Sequence, residues 1–172
     1  IDYFGNWKAL QYTVKDDYAD VAVLAKVDTL GKEKYFLVSD QPHAFACKIS
    51  AVVYDLEGNQ LSQFQCNQAV IGVKVNRLFE LELAAYKTQN YFIRFTWNDA
   101  SGKLNERSFT HLPEKRSTAT ADKVSYRLLE IDPVSKTAVI EVENTAFIGK
   151  CWVTSRKNGV RFNSNFIDLL PG

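Results

Sequence analysis

Alternation of apolar and polar residues with a period of two is the feature that most constrains how this chain can fold. In one run Cys47, Ile49, Ala51 and Val53 fall on one side of an extended strand, because successive strand side chains point to opposite faces. Further short strand-like runs lie at residues 21–26, 35–38, 79–83, 91–97 and 107–112. Runs about 8–12 residues apart, with turn residues between them, predict an antiparallel β-sandwich.

Turn residues separate the strand-like runs. Residues 55–58, Asp-Leu-Glu-Gly, predict a tight turn with Gly58 in the left-handed conformation that glycine adopts without a steric penalty. Residues 99–102, Asp-Ala-Ser-Gly, predict a second turn of this kind, and residues 132–136 predict a third. Asn-Gly at 158–159 suits a hairpin turn because both residues tolerate a positive φ.

A helical pattern precedes the strands. Apolar residues follow one another at spacings of three and four, at Trp7, Leu10, Val14 and Tyr18. This spacing predicts one amphipathic helix over about 6–17, with Asn6 as its N-cap. One helix cannot bury such a stripe by itself, so we expect it to pack on another part of a protein.

A polar stretch without periodicity begins at Pro113 and predicts a linker over 114–122. Strand-like runs resume after it at 124–131, 138–143 and 146–155. The predicted fold is therefore all-β, with one short helix in 1–19 followed by two immunoglobulin-like β-sandwich domains at 20–113 and 123–172. The second domain has fewer strands than the usual seven or so, so we expect a minimal sandwich or one lacking its last strand.

Charge and cysteine content exclude several functional classes. The formal net charge is +1, from 21 basic and 20 acidic residues, which lacks the basic excess of a nucleic-acid-binding protein. No apolar run approaches the roughly 20 residues that a membrane span needs. Cys47, Cys66 and Cys151 are odd in number and widely spaced, which favours buried thiols over a disulfide framework or a zinc site. Cys47 and Cys66 flank one predicted hairpin, so their approach to each other stays open.

Candidates for catalysis are sparse. Two pairs of carboxylates have the spacing that places both on one strand face, Glu80 with Glu82 and Glu141 with Glu143. Glycoside hydrolysis needs two such groups roughly 5–10 Å apart, but alternation with apolar residues favours a solvated strand face. His43 and His111 stand far apart, with no serine or cysteine motif nearby. We therefore assign no catalytic, cofactor-binding or metal-binding residue.

Aromatic residues are abundant, with 11 Phe, 8 Tyr and 3 Trp. Exposed aromatic rings bind sugars, so Tyr91, Phe95 and Trp97 are candidate sugar-contacting residues of a carbohydrate-binding module. The other interpretation is that these three rings pack in the core between two sheets.

Tracts at both ends of the chain resemble one enzyme family. Residues 1–12, IDYFGNWKALQY, are similar to the segment that leads into the last barrel helix of glycoside hydrolase family 2 β-mannosidases, with Asn6 in place of the family's usual Arg. Residues 162–172, FNSNFIDLLPG, are similar to a tract of that family's final immunoglobulin-like domain, with Ser164 departing from it. The turn at 55–58 is also similar, although turns of this kind are common.

The resemblance implies that residues 1–19 end a catalytic barrel and that two accessory domains follow. The two catalytic glutamates of the family lie on the barrel, upstream of Ile1, so this chain is expected to be a non-catalytic piece of a longer enzyme. Trp7, Leu10 and Val14 would dock on the barrel, and one more strand usually follows the last tract.

The parent enzyme implied by the resemblance hydrolyses terminal β-D-mannosides with retention and without a cofactor. The expected partners are the barrel of the same polypeptide and mannose-containing oligosaccharides, with no nucleic acid and no membrane. In an isolated fragment we expect this helix to fray, to dock on the first sandwich, or to dock on another chain and so cause self-association. A polysaccharide-degrading parent favours a periplasmic or secreted location.

Two other functions compete with this one. A free carbohydrate-binding module would bind mannan or mannobiose saturably, and a cell-surface interaction module would bind another protein, since this fold serves many roles. Neither has a use for the helix at 6–17, so the helix favours the accessory region of a β-mannosidase.

Overall fold

The computed structural model describes residues 7–29, 32–70, 73–81, 90–111, 124–157 and 160–172. Within these ranges the chain forms one helix, α1 (Ala9–Asp17), and eleven strands. Seven strands precede residue 112: β1 (Val21–Val27), β2 (Glu33–Ser39), β3 (Phe45–Tyr54), β4 (Gln60–Val70), β5 (Lys74–Leu81), β6 (Tyr91–Asn98) and β7 (Leu104–His111). Four follow it: β8 (Val124–Asp132), β9 (Thr137–Asn144), β10 (Ile148–Cys151) and β11 (Ile167–Leu169).

The first seven strands form two antiparallel sheets, ordered β1-β2-β5 and β4-β3-β6-β7. Alternate residues of β2 and β3 are buried, so each sheet turns one face inward. The core between the sheets contains residues from both: Val21, Val23, Tyr35, Leu37, Cys47, Ile49, Ala51, Val53, Tyr91, Ile93, Phe95 and Trp97. The predicted all-β fold is confirmed.

Aspartate side chains close three hairpin turns. Asp55 Oδ1 accepts a 2.8 Å hydrogen bond from the Asn59 amide, and Gly58 has a φ of +91°, as the turn pattern predicted. Asp99 Oδ1 accepts bonds from Ser101 and Lys103 in the β6–β7 turn. In the β8–β9 turn, Asp132 Oδ1 likewise accepts hydrogen bonds from backbone amides of the turn. The predicted turn at 158–159 lies outside the described residues.

The strands after residue 123 form two antiparallel pairs, β8-β9 and β10-β11, and within 124–157 and 160–172 no sheet has more than two strands. The β8–β9 hairpin has an exposed apolar side that includes Tyr126, Leu128, Ile131 and Ile140. The predicted linker at 114–122 lies outside the described residues, so the predicted domain boundaries stay predictions.

Asparagine side chains take the place of strand pairing in the last tract. Asn165 donates from Nδ2 to the Val153 carbonyl at 2.7 Å and accepts from the Val153 amide through Oδ1 at 2.8 Å. Asn144 donates from Nδ2 to the Leu170 carbonyl at 2.7 Å and exchanges both backbone hydrogen bonds with Gly172. These bonds satisfy backbone groups where the short strands end.

The helix begins later than the sequence predicted. Its N-cap is Lys8, whose backbone is extended and whose side chain makes no capping bond, so the predicted start at residue 6 is corrected to Ala9. Asn6 itself lies outside the described residues. The end at Asp17 agrees with the prediction. No described helix is long and apolar enough to cross a membrane.

Candidate docking surface on the helix

Helix α1 presents two different faces. Tyr12 lies on the inner face and is 4% exposed, the one residue within the helix that is fully buried. Leu10, Val14 and Tyr18 lie on the other side, and their exposed fractions are 70%, 44% and 84%. Residues four apart share a helix face, so these three form one stripe, here called the outer stripe. The helix therefore buries one aromatic residue on its inner face and exposes an apolar stripe on the other.

The inner face of α1 contacts the segment that precedes β11. Lys15 Nζ donates a 2.7 Å hydrogen bond to the Asn163 carbonyl. The Tyr12 hydroxyl oxygen accepts a 3.4 Å hydrogen bond from the Phe162 amide. The Tyr12 ring lies edge-to-face against Trp7, with 5.3 Å between the ring centroids. The guanidinium group of Arg161 lies 5.6 Å from the centre of the Trp7 ring.

The C-terminal end of α1 contacts the first sandwich. Arg107 on β7 forms an ion pair with Asp17 and donates to the Asp16 carbonyl at 3.5 Å. Burial raises the pKa of the Asp16 carboxyl, and the positive charge of Arg107 opposes that rise. The cation at the last helical turn also faces the negative end of the helix dipole, so this contact favours the folded helix.

The residues expected to dock on a barrel do not behave alike. Trp7 is half-buried against Tyr12, whereas Leu10 and Val14 point away from the rest of the described chain. The spacing of three and four grouped Trp7 with Leu10, Val14 and Tyr18, and the structure keeps only the last three on one side of the helix. It did not identify Tyr12, because a lone buried aromatic opposite the stripe leaves no periodic signal.

The candidate sugar-contacting residues lie in the core. Tyr91, Phe95 and Trp97 are 1%, 0% and 4% exposed. Phe95 packs against Tyr35 with 4.8 Å between ring centroids, and Tyr91 stacks on His111 at 5.0 Å. A ring enclosed between two sheets cannot stack on a sugar, so the predicted platform is corrected to core packing.

Of the two carboxylate pairs considered, Glu141 and Glu143 lie within the described residues, on β9. Glu141 forms an ion pair with Arg127 across the β8–β9 hairpin, and Glu143 is exposed. The Glu80 side chain and all of Glu82 lie outside the described residues. Among the residues that the structure describes, no group of three or more metal-ligating side chains is close enough to hold an ion.

A buried aspartate joins the two halves of the chain, and the sequence did not single it out. The Asp168 side chain is 4% exposed and accepts from the Lys150 amide at 2.7 Å and from the Thr110 hydroxyl on β7. Lys150 Nζ also lies 3.3 Å from this carboxylate. Asp168 falls in the tract that carried the family resemblance, but the tract alone gave no partner for it.

The packed sheets define the first part of the chain as an immunoglobulin-like β-sandwich, followed by a further β unit. The described fold is similar to part of a β-D-mannosidase from Dictyoglomus thermophilum, with a TM-score of 0.70 and 21% sequence identity over 99% of this chain. It is also similar to the exo-chitosanase CsxA of Amycolatopsis orientalis, with a TM-score of 0.68 and 14% identity over 100% of this chain.

This chain spans 21% of the length of the β-D-mannosidase and 24% of the exo-chitosanase. No protein-family model matches the sequence, and no curated protein matches it. At these identities the similarity shows a shared fold. The fold implied by the resemblance to the C-terminal region of family 2 β-mannosidases is thereby confirmed.

Proposed function

We propose that this chain is the non-catalytic accessory region of a β-mannosidase and that it supports a catalytic barrel by packing α1 against it. The outer stripe is the observation that carries the proposal. A helix inside one chain normally turns its apolar side inward, yet α1 exposes Leu10 and Val14 and buries Tyr12.

Burying the outer stripe against a partner is favourable in free energy. Fully burying a leucine or valine side chain contributes about 1.5–3 kcal/mol. Leu10 is 70% exposed and Val14 is 44% exposed, so most of that free energy for the leucine and somewhat under half of it for the valine are still available to a partner. A barrel in the same polypeptide would gain it without the translational entropy that a separate molecule loses on binding.

The proposed activity of the whole enzyme is hydrolysis of terminal β-D-mannosides with retention and without a cofactor. Its two catalytic glutamates would lie on the barrel, and the accessory region would act by holding that barrel in shape. The structural similarity to a β-D-mannosidase and the end tracts support this substrate, and the similarity to an exo-chitosanase makes chitosan the substrate to compare with it.

The test uses the chain alone and the longer polypeptide that would carry it after a barrel. We expect an aryl β-mannoside to be hydrolysed by the longer polypeptide and not by the chain alone. Replacing Leu10 and Val14 together by Glu should lower the thermal midpoint of the longer polypeptide by several degrees and reduce its activity, because two charges would be forced against an apolar surface.

The matched control replaces Leu104 and Val134 together by Glu, which makes the same change at a leucine that is 65% exposed on β7 and a valine that is 90% exposed in the β8–β9 turn. Equal effects of the control and the stripe variant would contradict docking through α1. Hydrolysis that follows the isolated chain through purification would overturn the accessory role. Saturable heat on titrating mannooligosaccharides into the chain alone would favour a carbohydrate-binding module instead.

A further inference from the structure

Part of the segment between β10 and β11 makes its hydrogen bonds to α1. Residues 160–166 form no helix or strand. Two consecutive residues of this segment contact the inner face of α1, Phe162 through its amide and Asn163 through its carbonyl. Arg161 lies over the ring of Trp7, just before the helix. The Phe162 amide is part-buried and needs a partner of this kind, because it is outside secondary structure, whereas the bond to Asn163 is exposed to water.

The same helix is attached to the first sandwich at its other end. Arg107 on β7 pairs with Asp17, so α1 contacts the first sandwich through its last turn and the last part of the chain through Tyr12 and Lys15. These two sets of contacts lie on one short helix. A displacement of α1 therefore changes both.

We infer that α1 couples the order of residues 160–169 to its own folding. When α1 is folded and seated, Tyr12 and Lys15 hold Phe162 and Asn163. When it unfolds, the segment loses these contacts. Asn165 lies two residues further on, and its side chain makes both hydrogen bonds to Val153, so the disturbance extends into the β10–β11 pair.

Because of this coupling, a partner bound to the outer stripe also affects residues 160–169. Any partner that covers the outer stripe stabilises folded α1, and by linkage it stabilises residues 160–169, which it does not touch. Local opening of short elements with few buried apolar contacts is the expected low-energy motion of a β protein. This coupling does not require the partner to be a barrel, so it can be tested independently of the proposed function.

Hydrogen exchange measured by mass spectrometry on the full chain tests the coupling. Thr13→Pro should unfold α1, because proline removes a helical hydrogen bond and clashes with the preceding turn. Thr13→Ala is the matched control, since Thr13 is exposed and alanine keeps the helix. We expect Thr13→Pro to speed exchange in 160–169, with residues 91–98 unchanged.

Two smaller changes test the contacts themselves. Tyr12→Phe removes the acceptor for the Phe162 amide, and Lys15→Met removes the donor to the Asn163 carbonyl. Tyr12→Phe should raise exchange in 160–169 by at most about tenfold, the upper factor for one hydrogen bond, and Lys15→Met should raise it less, because its bond is exposed. The inference is overturned if Thr13→Pro abolishes protection of the α1 amides while exchange in 160–169 keeps its original rate.

Discussion

The phenol of Tyr91 on β6 donates a 2.6 Å hydrogen bond to Glu33 Oε2 on β2, and this bond joins the two sheets of the sandwich inside its core. Both residues are buried. Burial and the neighbouring Glu33 carboxylate also raise the pKa of Tyr35 above its usual range. A buried carboxylate is tolerated where hydroxyl groups face it, so this cluster links the two sheets within the core.

Removing the Tyr91 hydroxyl should destabilise the fold. Tyr91→Phe keeps the ring that stacks on His111 and removes one donor to Glu33, so we expect a loss of about 1–3 kcal/mol in the free energy of unfolding. Urea denaturation measures it. The control is Tyr126→Phe, because Tyr126 is largely exposed on β8 and should tolerate the change. Equal losses in both variants would show that the Tyr91 bond contributes nothing specific.

The Asp99 turn should make stability depend on acid pH. The Ser101 hydroxyl, together with Asn105 and the backbone amides of Lys103 and Ser101, holds the pKa of Asp99 below its ordinary value of 3.8. A lowered folded-state pKa means that the stabilisation is complete above pH 3.8 and is lost as the pH falls through the lower, folded-state pKa.

We therefore expect Asp99→Ala to lower the thermal midpoint at pH 7 and to have little effect at the lowest pH at which the chain stays folded. Titration of the Asp99 carboxyl by NMR checks the direction of the shift. A midpoint near or above 3.8 would contradict the turn's role.

Asp168→Ala should loosen the contact between β7 and the last tract. It removes the acceptor for the Lys150 amide and for the Thr110 hydroxyl, so we expect a cost of about 1–3 kcal/mol, with faster proteolysis at 148–172 than in the first sandwich. Asp40→Ala is the control, because Asp40 is exposed. Cleavage that begins in the first sandwich would show that Asp168 does not hold the last tract.

The strands and turns could be predicted because each left a local signal. Period-two runs marked β3 and β6, and Asp-x-x-Gly tracts marked the turns at Gly58 and Gly102, which have φ values of +91° and +80°. Such signals come from backbone geometry, which the residues at each position decide by themselves.

The burial of a ring on the outer side of β6 could not be predicted. Tyr91, Phe95 and Trp97 share one side and alternate with Arg94, which marks their side as the core face, but Phe92 on the opposite side is also 1% exposed. Alternation separates an apolar face from a polar one, and a single buried ring on the polar face leaves no periodic signal. The partners of Tyr12 and Asp168 were hidden for a related reason, because they come from residues far away in the sequence.

The outer stripe should make the isolated chain self-associate. Leu10 and Tyr18 expose apolar surface, and burying it is favourable. In a concentrated solution of the chain alone, a second copy of the chain is available to bury this surface. Sedimentation velocity over a range of concentrations measures this. We expect an average mass that rises with concentration, and Leu10→Glu should return it to that of the monomer. Leu104→Glu should leave the association unchanged. If both variants stay associated, the contact lies elsewhere on the chain and the outer stripe is not its cause.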